Sequence, residues 1–228
     1  MKLTFTLLTV LILEGLSASA QEKAIQFGFR AGISSTKFSR TLQPDIQVRD
    51  ADTATIGYYA GAFATLNVNR FSIQPGVYFN TRGGKTTEEV YQGDIIFSGY
   101  GNWRLFYIQV PVNILYNLPT AAGSFYVGAG PYISTALSGK FSAERIDGYR
   151  IEEKYEDSYS FKATIGTDQN RSFKRFDYGL NALAGFRLNN GLLIDAGYDL
   201  GLGNIEGQSY IYSSTKNRSL HFGLGYQF

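Results

Sequence analysis

The chain contains one histidine and no cysteine, so the side chains able to do acid–base or nucleophilic work are few. His221 follows Ser219 by two positions, which places a base and a hydroxyl on one face of an extended strand. Acyl transfer from that pair would need the imidazole within about 3 Å of the Ser219 Oγ and a carboxylate behind the ring. The stretch RGGKTT at 82 to 87 ends like a phosphate loop, yet the full pattern requires glycine where Phe79 stands. It reads as a loop. GAG at 128 to 130 and GLG at 201 to 203 lack the third glycine of a dinucleotide fingerprint. Glu152, Glu153, Glu156 and Asp157 could offer hard oxygens to calcium, but Lys154 interrupts them and no calcium-loop spacing is present. Without cysteine there is no Cys/His zinc site, redox dithiol or disulfide framework. The sequence predicts no catalytic centre, no cofactor and no metal.

Polar residues recur instead at alternate positions among apolar ones. Arg30, Gln74, Gln109, Asp177, Arg187, Asp195, Asp199 and His221 each fall on the second face of a segment whose first face is apolar. The period is two, the period of a strand. Eight apolar series carry it: Phe27 to Ile33, Ile56 to Val68, Phe71 to Phe79, Phe106 to Tyr116, Phe125 to Leu137, Tyr178 to Leu188, Leu192 to Leu200, and Leu220 to Phe228. The second face is rich in glycine, including Gly28, Gly61, Gly128, Gly185, Gly197 and Gly223. Small residues of this kind make room for Tyr59, Phe63, Tyr78, Trp103, Tyr107, Tyr126 and Tyr132 on the same face.

Composition agrees, because 26 glycines with 17 tyrosines and 17 phenylalanines in 228 residues disfavour helices. A net charge of +2 offers no footprint for nucleic acid. The connections between the eight strands alternate in length. Those at 35 to 54, 81 to 102, 139 to 175 and 203 to 217 are long, whereas those near 67 to 70, 117 to 123 and 189 to 191 are short. An even number of strands of about ten residues, with all long loops at one end, is the pattern of a transmembrane β-barrel. A soluble barrel of lipocalin type would place its apolar face inward, and here the second face is too polar and glycine-rich for that.

The expected fold is therefore all-β: an eight-stranded antiparallel up-and-down transmembrane barrel with its apolar face toward lipid. Aromatics gather at strand ends on that face. Phe27, Phe71, Tyr116, Phe125, Phe186, Tyr226 and Phe228 predict an inner girdle, and Tyr58, Phe79, Phe106, Tyr178 and Tyr198 an outer one. Pro75, Pro111 and Pro131 lie inside strands, where a missing donor predicts local bulges. Residues 1–20, with Lys2, an apolar run to Leu13 and Ala18-Ser19-Ala20, read as a cleaved signal peptide. Residues 21–228 form the barrel domain, with both termini expected in the periplasm.

Three segments, FYIQVPVNILYNL at 106 to 118, FYVGAGPYISTALSGKF at 125 to 141 and RFDYGLNALAGFRLNNGLLIDAGYDLGLGNI at 175 to 205, together with the terminal strand SLHFGLGYQF, resemble the PorT-like outer-membrane β-barrel family of Bacteroidetes. The resemblance implies insertion into the bacterial outer membrane by the barrel-assembly machinery, with Leu224, Tyr226 and Phe228 similar to its terminal recognition signal. It implies no chemistry. The partners expected are outer-membrane lipid and lipopolysaccharide, the assembly machinery, and an unidentified ligand of the outer loops. The function expected is structural, adhesive or assembly- and secretion-associated, with the lumen plugged by pairing Arg30 with Asp195 or Asp199. The alternatives are a narrow porin-like channel and, from another class, a lipid-modifying enzyme built on His221.

Overall fold

The computed structural model describes residues 25–44, 49–92, 95–147, 151–159, 173–207 and 212–228. The signal-peptide reading of residues 1–20 lies outside them. Among the described residues ten strands form one antiparallel sheet: β1 (Ile25–Leu42), β2 (Arg49–Thr53), β3 (Thr55–Val68), β4 (Phe71–Gln92), β5 (Ile95–Thr120), β6 (Gly123–Asp147), β7 (Ile151–Tyr159), β8 (Phe176–Leu188), β9 (Leu192–Gly201) and β10 (Tyr212–Gln227). The sheet closes on itself. β1 pairs with β3 on one side and β10 on the other, and the ring runs on through β4, β5, β6, β8 and β9. Two short strands complete their neighbours rather than adding to the ring. β2 runs along β4 at Lys85 to Glu89 beyond the part of β4 that β3 occupies, and β7 runs along β6 at Gly139 to Asp147 beyond the part that β8 occupies. The barrel therefore has eight staves, each joined to the next in chain order.

Alternation in sequence becomes alternation in burial. Along β8 and β9 almost every second residue is buried and those between are exposed. The exposed set holds Phe29, Ile33, Ile114, Ile133, Leu180, Ile194 and Leu224. Most aliphatic side chains thus point out and the polar ones point in, while aromatics occupy both faces. The outward aromatics touch across strands: Phe71 with Tyr116 at 5.3 Å and Phe125 with Phe186 at 4.5 Å between centroids at the short-turn end, and Phe79 with Phe106 at 6.0 Å toward the other. From Tyr116 to Phe106 is roughly 34 Å of strand at about 3.4 Å per residue. At a tilt of about 40° this is an apolar band roughly 26 Å tall, the height a bilayer core requires. The short turns are sharp. Gly191, at φ +91°, occupies a left-handed conformation that a side chain would strain.

Two expectations need correction. The long connections at 81 to 102 and 139 to 175 are in large part strand, because β4 continues to Gln92, β5 begins at Ile95, β6 reaches Asp147 and β7 follows. The ladders continue from Lys85 opposite Asn102 to Gln92 opposite Ile95. Beyond the apolar band neither face need be hydrophobic, so the pairing persists after its sequence signal has ended. The prolines also do not produce bulges. Pro75 stays opposite Val112, Pro111 opposite Tyr132 and Pro131 opposite Leu180, all in unbroken register. Each proline costs ladder bonds but inserts no residue. The β5–β6 pairing shifts instead between Phe106 and Tyr107.

Candidate functional site

The lumen is where the fold gathers its polar side chains, and it holds two charged clusters at different heights. The first is built on Arg82 of β4. Its Nη1 lies 2.8 Å from Asp177 Oδ2 on β8 and its Nη2 2.9 Å from Asp199 Oδ2 on β9. Nη2 also donates to Gln109 Oε1 on β5 at 2.6 Å, and Nη1 to the Tyr132 hydroxyl on β6 at 3.3 Å. The acids are held in turn: Asn181 donates to Asp199 Oδ1 at 2.6 Å and Asn217 to Asp177 Oδ2 at 2.9 Å. Asn80 donates to Gln109. The guanidinium lies over the Tyr132 ring at 4.8 Å and the Tyr107 ring at 5.5 Å. The Arg82 side chain is 1% exposed and Asp177 0%. Such a buried charge is tolerated only when paired and hydrogen-bonded, and here two carboxylates share one guanidinium.

The second cluster centres on Arg30 of β1, whose Nε lies 2.6 Å from Asp195 Oδ2 on β9. Tyr126 donates to Asp195 Oδ2 at 3.0 Å, and Arg30 donates to the Tyr78 hydroxyl at 3.3 Å while its guanidinium sits 4.8 Å over the Phe63 ring. Large rings fit because glycine faces them. A Cβ on Gly28 would lie 2.5 Å from the Phe63 ring, and one on Gly223 would lie 2.0 Å from the Tyr59 hydroxyl. Beside Arg82, whose ladder partner is Leu105, the residues Phe38, Leu105, Tyr107, Ala136, Phe173 and Ile205 form an apolar cluster with Trp103 packed against it. The lumen is therefore filled at that level.

The eight lumen residues singled out by sequence are all placed on the inward face, but not in one network. Arg30 joins Asp195, whereas Asp177, Asp199 and Gln109 join Arg82. Gln74 bonds Thr65 at 3.1 Å. Among the described residues Arg187 meets no acid: it donates to Gln227 at 3.1 Å and Gln26 at 3.3 Å beside the short turns. There the lumen opens into a cup of about 870 Å³, lined by Asn67, Asn117, Arg187 and Gln227 among others. His221 packs edge-on to Tyr59 at 5.3 Å and, with Ser219, lines a cavity of about 40 Å³ that touches both charged clusters. At about 10 to 15 Å³ per water that volume suits a few waters and no larger solute.

Arg82 was not legible as a site residue. The reading of RGGKTT as an exposed loop is overturned at its first position, where β4 carries Arg82 into the lumen. Glu152, Glu153, Glu156 and Asp157 lie on the backbone of β7, and their side chains fall outside the described residues. Leu224, Tyr226 and Phe228 face outward and are 60%, 40% and 60% exposed, with Tyr226 stacked on Phe29 at 6.3 Å and on Phe228 at 6.5 Å.

A closed up-and-down barrel with an apolar exterior and a polar, charge-paired interior defines the class of outer-membrane β-barrels. The family model described as outer membrane protein beta-barrel domain matches residues 19–207. The chain belongs to that family. A search among curated proteins finds no match. Among solved structures it is similar to the attachment invasion locus protein Ail of Yersinia pestis, with 16% identity, 90% of this chain and 99% of that chain covered, and a TM-score of 0.38. It is also similar to OprG of Pseudomonas aeruginosa, with 14% identity, 90% and 96% covered and a TM-score of 0.45. The outer membrane protease OmpT of Escherichia coli aligns with 13% identity, 94% and 100% covered and a TM-score of 0.45.

Proposed function

We propose that this protein is a closed barrel, not a conduit, and that its working part is the β-sheet it projects beyond the membrane. The observation that carries this reading is the Arg82 cluster, which bridges β4, β5, β8 and β9 across the lumen with two carboxylates sharing one guanidinium. The apolar cluster beside it supports the same conclusion. In this reading the short turns and both termini are periplasmic, and β2, β4, β5, β6 and β7 present a surface for a structural, adhesive or assembly-associated partner. The outward Leu224, Tyr226 and Phe228 serve the assembly machinery. The PorT-like, Bacteroidetes affiliation and the leading signal peptide belong to the same proposal. No catalysis is assigned, because Ser219 and His221 line a lumen cavity of about 40 Å³, too small for a lipid substrate. Planar-bilayer recordings test the reading: the purified protein gives at most small, flickering currents, and a steady porin-sized conductance overturns it in favour of a channel. An epitope inserted at 148–150 is reached by antibody on intact cells and one at 189–191 is not, and the reverse overturns the orientation.

A further inference from the structure

At the seam where the first and last strands meet, the ladder places like charges opposite one another. Lys37 on β1 is the direct partner of Arg218 on β10, and Lys216 follows two residues on, opposite Ser39. All three face away from the lumen, since their neighbours Phe38 and Asn217 are each 2% exposed. Like charges facing one another across strands destabilise a sheet, and among the described residues no carboxylate forms an ion pair with any of the three. Asp52, which lies nearby in sequence on β2, is held by Arg40 at 2.6 Å. The same facing arrangement recurs across β5 and β6 with Arg104 and Lys140.

The height of the trio decides what neutralises it. Arg218 pairs with Leu200 of β9, two residues beyond Tyr198 and the girdle it belongs to. That is roughly 7 Å of strand past the aromatic belt, the depth of lipid headgroups. Directly below lie exposed Ile33, Leu220 and Phe222, a surface for acyl chains. Arg218 is already oriented: its Nη1 donates to the carbonyls of Asn217, at 2.9 Å, and Gly201. Its ordering cost is met before a ligand arrives.

We propose that Lys37, Lys216 and Arg218 bind the phosphate of an outer-leaflet glycolipid headgroup, with its chains on Ile33, Leu220 and Phe222. The leaflet rests on the orientation proposed above, and the phosphate site itself does not. The test folds the protein into phosphatidylcholine vesicles with and without a minor fraction of diphosphoryl lipid A and follows urea unfolding. For the wild type, lipid A raises the folded-to-unfolded ratio by at least ~10-fold. The exposed single variant Lys37→Ser loses most of that gain, the triple variant K37S/K216S/R218S loses all of it, and Lys174→Ser elsewhere keeps it. In plain phosphatidylcholine Lys37→Ser is at least as stable as the wild type, because it removes one of two facing like charges. An undiminished gain in Lys37→Ser overturns the proposal, and so does an equal gain from inorganic phosphate in detergent, which would make the trio a free-anion site. Orientation is read separately from the epitopes on intact cells, so a failure there leaves the vesicle result to stand or fall by itself.

Discussion

Arg82 and Asp199 sit on staves that are not neighbours, β4 and β9, yet their Nη2 and Oδ2 atoms are 2.9 Å apart across the lumen. The pair exists only because the sheet has closed. Breaking it by removing one member leaves buried charge uncompensated, which costs about 3 to 5 kcal/mol. Arg82→Met should lose that much stability in urea titrations in lipid vesicles, and adding Asp177→Asn and Asp199→Asn should recover a substantial part. If the single and triple variants unfolded alike, the charges would not be acting as a unit.

The outward face sets a second expectation. Ala182 lies midway between Phe186 and Tyr178 on the lipid side of β8, at the level of the bilayer centre. Arg at such a position costs about 2 to 4 kcal/mol, falling toward zero near the interfaces. Ala182→Arg should therefore depress folding yield in vesicles far more than Leu188→Arg at the short-turn end. Equal yields would contradict the assigned depth of Ala182.

The prolines give an expectation of opposite sign. The β4–β5 ladder lapses beside Pro111, between Pro75 opposite Val112 and Tyr78 opposite Gln109, leaving an acceptor unserved in the membrane wall. Pro111→Ala restores a donor in unchanged register, which is worth about 1 kcal/mol net and more in a dry wall. The variant should unfold at higher urea than the wild type. A loss of stability would show that proline's stiffness outweighs the missing bond.

Outside the spanning strands, Glu206 is 9% exposed and accepts a hydrogen bond from Thr215. Burial pushes its pKa up from 4.5, and Thr215, Arg40 and Lys174 oppose that shift only in part. A raised folded pKa favours the protonated folded form, so its stabilisation is fully present below the unfolded value near 4.5 and is lost as pH rises through the folded one. Protection factors at residues 202–207, which are exchange rates corrected for the intrinsic base-catalysed rate, should fall over that window, and Glu206→Gln should flatten their pH profile. Protection factors in the wild type that do not change with pH would remove Glu206 as a source of pH dependence.

How much of this was written in the sequence varies from residue to residue for physical reasons. Asp177, Asp195 and Asp199 announce themselves because each is flanked by outward apolar residues, as Ile194 and Ala196 flank Asp195. Arg82 has no such frame. Its neighbours Thr81 and Gly83 stand past Phe79, where the strand leaves the hydrocarbon and its outer face no longer has to be greasy. The same loss of contrast hid the outer halves of β4, β5 and β6. Pairing was harder still, since parity tells which face a residue takes but not its height against a stave across the ring. Arg187 has the correct parity and sits on β8 beside β9, yet it lies toward the short turns and meets glutamines.

A barrel wall one strand thick is a flexible shell, and the bilayer squeezes it sideways. The Arg82 guanidinium, gripped from β5, β8 and β9 at once, works as a tie rod across that shell. Flattening the cross-section must stretch or break those contacts, so the clamp opposes distortion of the rim on which the outer sheet stands.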